Sequence, residues 1–308
     1  MTKTAFLFSG QGAQKLGMAR DLYDQYETVK ATFDEASQAL GYDLRALIDN
    51  DEEKLNETKY TQPAILTTSV AILRLLSENG IKPDLVAGLS LGEYSALVAS
   101  GIIDFQEAVK LVAKRGQYMT EAAPTGSGKM VAVMNTDPAL IEEICQKAAE
   151  FKGGIVSPAN YNTPAQIVIG GEVEAVDYAV ELLKEAGVSK LIELKVSGPF
   201  HTSILKPASE KLALELDKID FRPFELPLIS NTSAKVMEND EVKGLLTRQV
   251  MEPVRFYESV ETMQKLGATR FIEVGPGRVL SGFIKKIDKN AEIANVENLA
   301  SFEALINQ

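Results

Sequence analysis

The Gly-Leu-Ser-Leu-Gly segment at residues 88–92 constrains the fold of this chain more than any other part of the sequence. It follows an apolar run at 85–87 and precedes a helix-like stretch, 93–99, that is rich in small residues. A strand that turns sharply into a helix needs glycine on both sides, because a Cβ there would clash with the crossing backbone. The pattern predicts a nucleophile elbow with Ser90 as the candidate nucleophile. A small-residue turn with an ordinary surface serine fits the motif equally well.

The chain contains a single histidine, His201. A serine hydroxyl is a poor nucleophile at neutral pH and needs a base, usually a histidine, to accept its proton. If Ser90 reacts in this way, His201 is that base. A helical pattern runs from Thr202 to about Leu216, and the positive end of its dipole would favour the neutral imidazole. A histidine that serves only as a helix-entry or core residue is the alternative.

Composition places the chain among ordinary globular proteins. It has 308 residues, of which 45% are hydrophobic and 24% charged, enough for a large core. Its one cysteine, Cys145, excludes an internal disulfide and fits a reducing compartment. The apolar run at 4–8 is too short for a signal sequence, and no segment approaches the roughly 20 apolar residues of a membrane span. We therefore expect a cytoplasmic protein without a metal site.

Charge and loop sequences argue against nucleotides and nucleic acids. The net charge is −11 and the isoelectric point is near 4.9, so we expect neither nucleic acid nor an anionic membrane as the main partner. The loop that begins Gly10-Gln11-Gly12 has Lys15 where a dinucleotide-binding fingerprint needs its third glycine. After Gly128-Lys129, Met130 stands where a phosphate-binding loop needs Ser or Thr.

The order of predicted elements indicates an α/β fold with an inserted domain. A linker-like stretch at 123–128 precedes predicted strands and helices in the order βαββαβ, which is the ferredoxin-like pattern. We expect a small ferredoxin-like domain at 125–196 within a hydrolase-like, parallel-sheet domain formed by 1–124 and 197–308. The predicted strands are 4–8, 85–88, 130–134, 155–159, 166–170, 190–196, 226–230, 270–274 and 292–296; the main predicted helices are 63–78, 104–121, 138–149, 173–186 and 202–216.

Five segments, taken together and in order, resemble one family. They span nearly the whole chain, and the resemblance includes the βαββαβ insertion. The segments are FSGQGAQ at 8–14, GLSLGEY at 88–94, KRG at 114–116, GPFH at 198–201 and EVGPG at 273–277. The family that they resemble is the malonyl-CoA:acyl carrier protein transacylases of bacterial fatty acid synthesis.

The resemblance implies a mechanism for the matching positions. Ser90 would attack the thioester of malonyl-CoA, with His201 as general base and later as general acid toward the departing thiolate. In this family a carbonyl oxygen orients the histidine, and the matching position is Gln249. The backbone N–H groups of Gln11 and Leu91 would hold the oxyanion of the tetrahedral intermediate.

The resemblance also implies the residues that bind the acyl group. Arg115 would bind the malonyl carboxylate through two parallel hydrogen bonds, although a basic residue near a helix end is more often a solvated charge. Phe200 matches the bulky residue found in members that use malonyl rather than branched extender units. Asn160 and Asn162 match substrate-lining positions, although asparagines after a strand are also common turn residues. Many members have histidine at the position of Leu89, which we expect to face away from the substrate.

The implied activity is transfer of malonyl from malonyl-CoA to the pantetheine thiol of acyl carrier protein through a malonyl-Ser90 ester. A serine thioesterase or esterase and a noncatalytic acyl-carrier-binding module are the alternatives. We expect no permanently bound cofactor and a monomer. Because the carrier is acidic, we expect a local basic docking patch, for which ordinary solvated lysines are the alternative. The candidates are Lys190 and Lys195, or Lys285, Lys286 and Lys289.

Overall fold

The computed structural model describes residues 2–308, which contain eight β-strands. They form two separate four-stranded sheets. In chain order the strands are β1 (Lys3–Phe8), β2 (Leu85–Gly88), β3 (Lys129–Met134), β4 (Val156–Thr163), β5 (Gln166–Gly171), β6 (Leu191–Glu193), β7 (Ala268–Val274) and β8 (Glu292–Val296).

Fourteen α-helices connect and cover the two sheets within residues 2–308, together with short 3₁₀ helices at Ser203–Leu205 and Asn239–Glu241. No helix in this part of the chain is long and apolar enough to cross a membrane. The helices are α1 (Arg20–Gln25), α2 (Glu27–Leu40), α3 (Leu44–Asn50), α4 (Glu52–Leu55), α5 (Thr58–Glu78), α6 (Leu91–Ala99), α7 (Phe105–Ala122), α8 (Pro138–Lys152), α9 (Val173–Glu185), α10 (Lys206–Leu216), α11 (Val242–Gln249), α12 (Phe256–Lys265), α13 (Val279–Ile287) and α14 (Leu299–Ile306).

The first sheet is parallel, with the strand order β2-β1-β7-β8. Alternate residues of β1 point to opposite faces: Phe6 and Phe8 pack in one hydrophobic core, and Ala5 and Leu7 in the other. Burial on both faces is typical of a parallel sheet covered by helices. The carboxyl ends of β1, β2 and β7 are in register, so the loops that follow these strands meet at one edge.

The second sheet is antiparallel, with the order β4-β5-β3-β6. Helices α8 and α9 pack on one face through a core that includes Ile141, Val176 and Ile169. This is the ferredoxin-like arrangement that the βαββαβ order predicts, and the predicted fold class is confirmed. All four strands lie between residues 129 and 193.

Two predicted starts and one predicted strand were wrong. Helix α5 begins at Thr58 rather than Pro63. The prediction missed its first turn because that turn is polar and carries no apolar period. Residues 226–230 form no strand. They make two isolated bridges, between Leu228 and Val86 and between Ile229 and Val236. Pro227 interrupts a possible ladder there, since proline has no N–H to donate. The α-helix predicted from residue 202 begins at Lys206, after the short 3₁₀ helix.

Candidate active site

The turn between β2 and α6 has the geometry that the sequence predicts for an elbow. Ser90 has φ 56° and ψ −108°, a conformation that L-residues rarely adopt. A Cβ built on Gly88 would lie 2.0 Å from the carbonyl carbon of Gly92, and one built on Gly92 would lie 2.0 Å from the carbonyl oxygen of Phe8. Glycine is therefore required at both positions, and the close packing fixes Ser90 above the edge of the parallel sheet.

His201 meets Ser90 across 111 residues of chain. Its Nε2 lies 2.8 Å from Ser90 Oγ, and its Nδ1 lies 2.8 Å from the backbone oxygen of Gln249. A carbonyl oxygen only accepts, so Nδ1 carries the proton and Nε2 is free to accept one from the serine. The structure thus brings together the three residues of the predicted triad, with the main chain of Gln249 as the third partner.

The environment of His201 keeps its imidazole neutral. The ring is 4% exposed, and burial lowers its pKa to about 4, with the nearby charge of Arg115 acting in the same direction. The sequence predicted a helix dipole as the cause. That expectation was wrong, because the helix proper begins only at Lys206 and burial dominates.

Arg115 lies inside α7, two turns before its end, and its side chain is almost fully buried at 1% exposure. One terminal nitrogen donates to Gln62 Oε1 at 2.8 Å. The other donates to Gln249 Oε1 at 2.9 Å and to Ser90 Oγ at 3.2 Å. The guanidinium also stands 5.2 Å from the centre of the Tyr94 ring. The alternative of a solvated charge at a helix end is excluded.

The hydrogen bonds of Arg115 leave its positive charge available to an anion. All three oxygens that accept from it are neutral, and its Nε has no partner among residues 2–308. Burial lowers the pKa of the guanidinium because the charged form loses its water. A buried cation among neutral acceptors is costly, and a bound carboxylate would offset that cost.

The loop after β1 packs directly against the elbow. A Cβ on Gly10 would lie 2.3 Å from the carbonyl oxygen of Leu89, so only glycine permits this approach. The next residue, Gln11, is anchored by its side chain, whose Nε2 donates to Thr58 Oγ1 at 3.0 Å and to Ser197 Oγ at 3.2 Å. Leu91 is the first residue of α6, where a backbone N–H has no acceptor within the helix.

The loop after β7 supports the loop after β1. Gly275 has φ 119°, and a Cβ there would lie 2.7 Å from Ser9 Oγ. Glu273, at the end of β7, accepts hydrogen bonds from the backbone N–H groups of Leu280 and Ser281. It thereby caps the start of α13. The EVGPG segment thus has a structural part in building this edge of the sheet.

Asn160 and Asn162 lie within β4, which extends to Thr163, so their interpretation as turn residues was wrong. Asn160 is paired with Val168 of β5. The side chain of Val168 lies on the face of the sheet away from α8 and α9, and Asn160 shares that face. On that same face, Gly170 approaches the methyl group of Thr202, next to His201. Asn162 donates to Gln166 Oε1 at 2.9 Å instead.

Phe200 lines a groove of about 530 Å³. Thr58, Ala123 and Ser197 form other parts of its wall, so the groove passes the side chains that anchor Gln11. Leu89 packs instead against the hydrophobic core that contains Leu7. This position agrees with the expectation that residue 89 faces away from a substrate.

The five candidate docking lysines are exposed, but they form two groups. Lys190 and Lys195 flank β6, which is one edge of the small sheet. Lys285 and Lys286 lie in the last turn of α13, and Lys289 follows it. Helix α13 contacts β4, the opposite edge of that sheet. The two groups are therefore alternatives and not parts of one patch.

Three buried residues beside the triad were not predicted from the sequence: Gln62, Glu93 and Asn231. Asn231 Oδ1 accepts the N–H of Ser90 at 2.7 Å, and its own N–H donates to Glu93 Oε2 at 3.1 Å. Burial raises the pKa of Glu93 to about 7, against the hydrogen bonds from Asn231 and Gln249 and the charge of Arg115. Gln62 directly precedes the apolar segment that begins at Pro63, so the sequence around it gives no signal of its burial.

Comparison with known proteins agrees with this geometry. The family model described as acyl transferase domain matches residues 5–302. The malonyl CoA-acyl carrier protein transacylase of Bacillus subtilis (strain 168) is 46% identical, over 99% of this chain and 97% of its own length. The crystal structure of MCAT from Streptococcus pneumoniae superposes with a TM-score of 0.97 at 68% identity, covering 99% of both chains.

One further solved structure contains a carrier protein. It is a malonyl-transacylase in complex with a type II PKS acyl-carrier protein, 44% identical, with a TM-score of 0.95, covering 99% of this chain and 100% of the other. The resemblance found in the sequence is confirmed by these matches over the full length. The chain belongs to the acyl transferase domain family.

Proposed function

We propose that this protein transfers malonyl from malonyl-CoA to the pantetheine thiol of acyl carrier protein, and so supplies extender units for fatty acid synthesis. The observation that carries the proposal is the position of Ser90 Oγ, 2.8 Å from the base His201 and 3.2 Å from a nitrogen of Arg115. In a malonyl group only one methylene separates the thioester carbonyl from the carboxylate. A cation this close to the nucleophile suits such a short, charged acyl group.

The reaction proceeds in two similar halves. As Ser90 Oγ bonds to the thioester carbon, His201 Nε2 accepts the serine proton. The carbon–sulfur bond then breaks, and His201 returns the proton to the CoA thiolate. In the second half the pantetheine thiol of the carrier attacks the ester and regenerates free Ser90. Because a thioester is already an activated acyl donor, the neutral carbonyl of Gln249 suffices to orient the histidine, and no resident cofactor is needed.

Backbone amides stabilise the transition state of both halves. We assign the N–H groups of Gln11 and Leu91 to the oxyanion of the tetrahedral intermediate. The close approach of Gly10 to Leu89 supports this role, because it brings the two backbone segments to the same edge of the sheet. The side-chain hydrogen bonds of Gln11 hold its loop in place before substrate arrives.

The small domain is assigned to residues 125–196, and the large domain to residues 1–124 and 197–308. Both domains contribute residues that bind the acyl group. Arg115 holds the carboxylate, Phe200 limits the size of the acyl group, and Asn160 and Asn162 line the site from the small domain. The uncovered face of the small sheet, which carries Asn160, supports this arrangement because it meets the segment around Thr202.

The acidic carrier protein docks on one of the two lysine groups, and the enzyme works as a monomer in the cytoplasm. The solved complex of a related malonyl-transacylase with its carrier supports the choice of partner. The overall charge of −11 makes a local basic group necessary for an acidic partner. The single buried cysteine is in keeping with a reducing compartment.

The experiment is to incubate the enzyme with isotope-labelled malonyl-CoA and holo-carrier protein, and to measure label on the carrier and in free malonate. We expect label on the carrier, and parallel lines in double-reciprocal plots when both substrates are varied. Free malonate as the main product would instead indicate a thioesterase. Unchanged carrier binding with no transfer by either the wild type or Ser90→Ala would indicate a noncatalytic module.

A further inference from the structure

Glu93 is a buried carboxyl group that the proposed mechanism leaves without a role. It is the third residue of α6, and its side chain is fully buried. Its Oε2 accepts from the backbone N–H of Asn231 at 3.1 Å and from Gln249 Nε2 at 3.2 Å. Its Oε1 has no hydrogen-bond partner among residues 2–308. A buried carboxylate held only by neutral donors costs free energy, although its place in the first helical turn reduces that cost.

Both partners of Glu93 also hold the backbone of the nucleophile. Asn231 Oδ1 accepts the N–H of Ser90, and Asn231 Nδ2 donates to the carbonyl oxygen of Gly88. Gln249 Nε2 donates to the carbonyl oxygen of Ser90 at 2.9 Å. The left-handed backbone of Ser90 is thus bound on both sides by side chains that meet at Glu93. Such conformations persist only where the surroundings hold them in place.

Glu93 and the carbonyl oxygen of Ser90 together determine which end of the Gln249 amide faces Arg115. An ionised carboxylate only accepts hydrogen bonds and a guanidinium only donates them. The amide therefore turns Nε2 toward Glu93 and Oε1 toward Arg115, at 3.2 Å and 2.9 Å. With the amide reversed, donors would oppose donors at Arg115. Together with Gln62 Oε1, this oxygen fixes the plane of the guanidinium.

We infer that Glu93 is a positioning residue that sets the preference of Ser90 for carboxylated acyl donors by orienting the Gln249 amide and, through it, Arg115. The inference rests on the proposed malonyl transfer. Glu93 itself touches neither the acyl group nor Ser90 Oγ in this mechanism. Its support of the Ser90 backbone, through Asn231 and Gln249, serves every acyl donor. Its effect on the position of Arg115 concerns only donors that carry a carboxylate, so those donors should lose more.

The test compares wild type with Glu93→Gln at pH 8, measuring kcat/KM for malonyl-CoA and for acetyl-CoA with the same carrier protein. The substitution keeps the size of the side chain and removes its charge, so Gln249 Nε2 loses its charged acceptor and keeps only the carbonyl oxygen of Ser90. We expect the malonyl-to-acetyl ratio to fall about tenfold, the factor that corresponds to one hydrogen bond involving a charged group. In an Arg115→Ala background, Glu93→Gln should leave the ratio unchanged, because the link is already broken.

The matched control is Glu273→Gln, which neutralises an equally buried carboxyl that caps α13 and lies outside this network. We expect it to lower stability and leave the ratio as in wild type. If Glu93→Gln does not fold, Gln249→Met breaks the same link from the other end and keeps the backbone oxygen that His201 uses. It should lower the ratio in the same way.

An equal loss with both donors, leaving the ratio unchanged in a folded Glu93→Gln or Gln249→Met, would overturn the inference and leave malonyl transfer intact. A wild-type enzyme that transfers no malonyl would instead overturn the proposed function, and this inference with it. The two failures are distinguishable because the first requires an active wild type.

Discussion

At the scale of single residues, the neutral form of His201 decides whether Ser90 can react. The imidazole is buried beside the charge of Arg115, and both effects disfavour its protonation. Because the folded-state pKa of His201 lies below the usual value of about 6.5, the imidazole is neutral at neutral pH and stays neutral until the pH approaches about 4. Protonation of the histidine is then coupled to loss of stability as the pH falls below about 6.5.

The single histidine makes this testable by NMR with isotope-labelled histidine, because the chain gives one imidazole signal. We expect a titration midpoint near pH 4 and no change between pH 6 and 8. Circular dichroism at each pH controls for unfolding. A midpoint at or above 6.5 in the folded protein would contradict the environment described for His201.

Arg115 gives a second prediction at this scale. Arg115→Ala removes the cation that pairs with the acyl carboxylate, so kcat/KM for malonyl-CoA should fall relative to that for acetyl-CoA. The expected change is about 1 to 3 kcal/mol, or roughly fivefold to 150-fold in the ratio. Lys114→Ala is the control, because this exposed neighbour pairs with Glu215. A ratio that changes equally in both variants would contradict the assignment of Arg115.

At the scale of secondary-structure elements, the contact between α6 and β1 depends on Gly92. Gly92→Ala places a Cβ 2.0 Å from the carbonyl oxygen of Phe8, so the helix must move away from the strand. We expect a loss of about 2 to 4 kcal/mol in the free energy of unfolding, measured in urea.

Gly282→Ala in α13 is the matched control for Gly92→Ala. Gly282 is exposed and a Cβ there meets nothing within 4 Å. This change should be neutral or stabilise the protein by up to about 1 kcal/mol, as alanine does in a helix interior. Equal stabilities for the two variants would show that the elbow tolerates a side chain after all.

The sequence predicted elements whose signals are local. The glycines at 88 and 92 and the apolar run before them identify the elbow, and the order of periodic segments identifies the small domain. The start of α5 and the missing strand at 226–230 were not predictable in this way. The first turn of α5 has no apolar period, and the two isolated bridges after Pro227 depend on segments distant in sequence or on a turn, not on a strand pattern.

The same distinction applies to the candidate site. Ser90 and His201 carry local or compositional signals, since one sits in a motif and the other is the only histidine. Glu93 and Asn231 carry no such signal, because their place beside Ser90 depends on hydrogen bonds between segments about 140 residues apart. The residues alone favoured a solvated Arg115, and only the packing of α5 against α7 buries it beside Gln62.

At the scale of the whole molecule, one lysine group flanks the edge strand β6, and the other lies at the end of α13, which contacts the opposite edge strand β4. The two candidate docking surfaces can therefore be tested separately. Charge reversal of Lys190 and Lys195 in one variant, and of Lys285, Lys286 and Lys289 in another, tests each in turn. We expect one variant to raise KM for carrier protein without changing KM for malonyl-CoA, and more strongly at low salt.

The variant of the other lysine group serves as the control in the same assay. Both variants make the protein more acidic, so a general electrostatic effect would raise KM for carrier protein in both, and more in the variant with three reversals. Unchanged carrier kinetics in both variants would remove these lysines from the docking surface.

In the proposed reaction, Ser90 carries the malonyl group between two thiols. Intact-protein mass spectrometry after mixing with malonyl-CoA tests it most directly, with Ser90→Ala treated in parallel. We expect one malonyl adduct on the wild type, none on the variant, and loss of the adduct when holo-carrier protein is added. An adduct that persists in Ser90→Ala, or one on the wild type that carrier protein does not discharge, would contradict it.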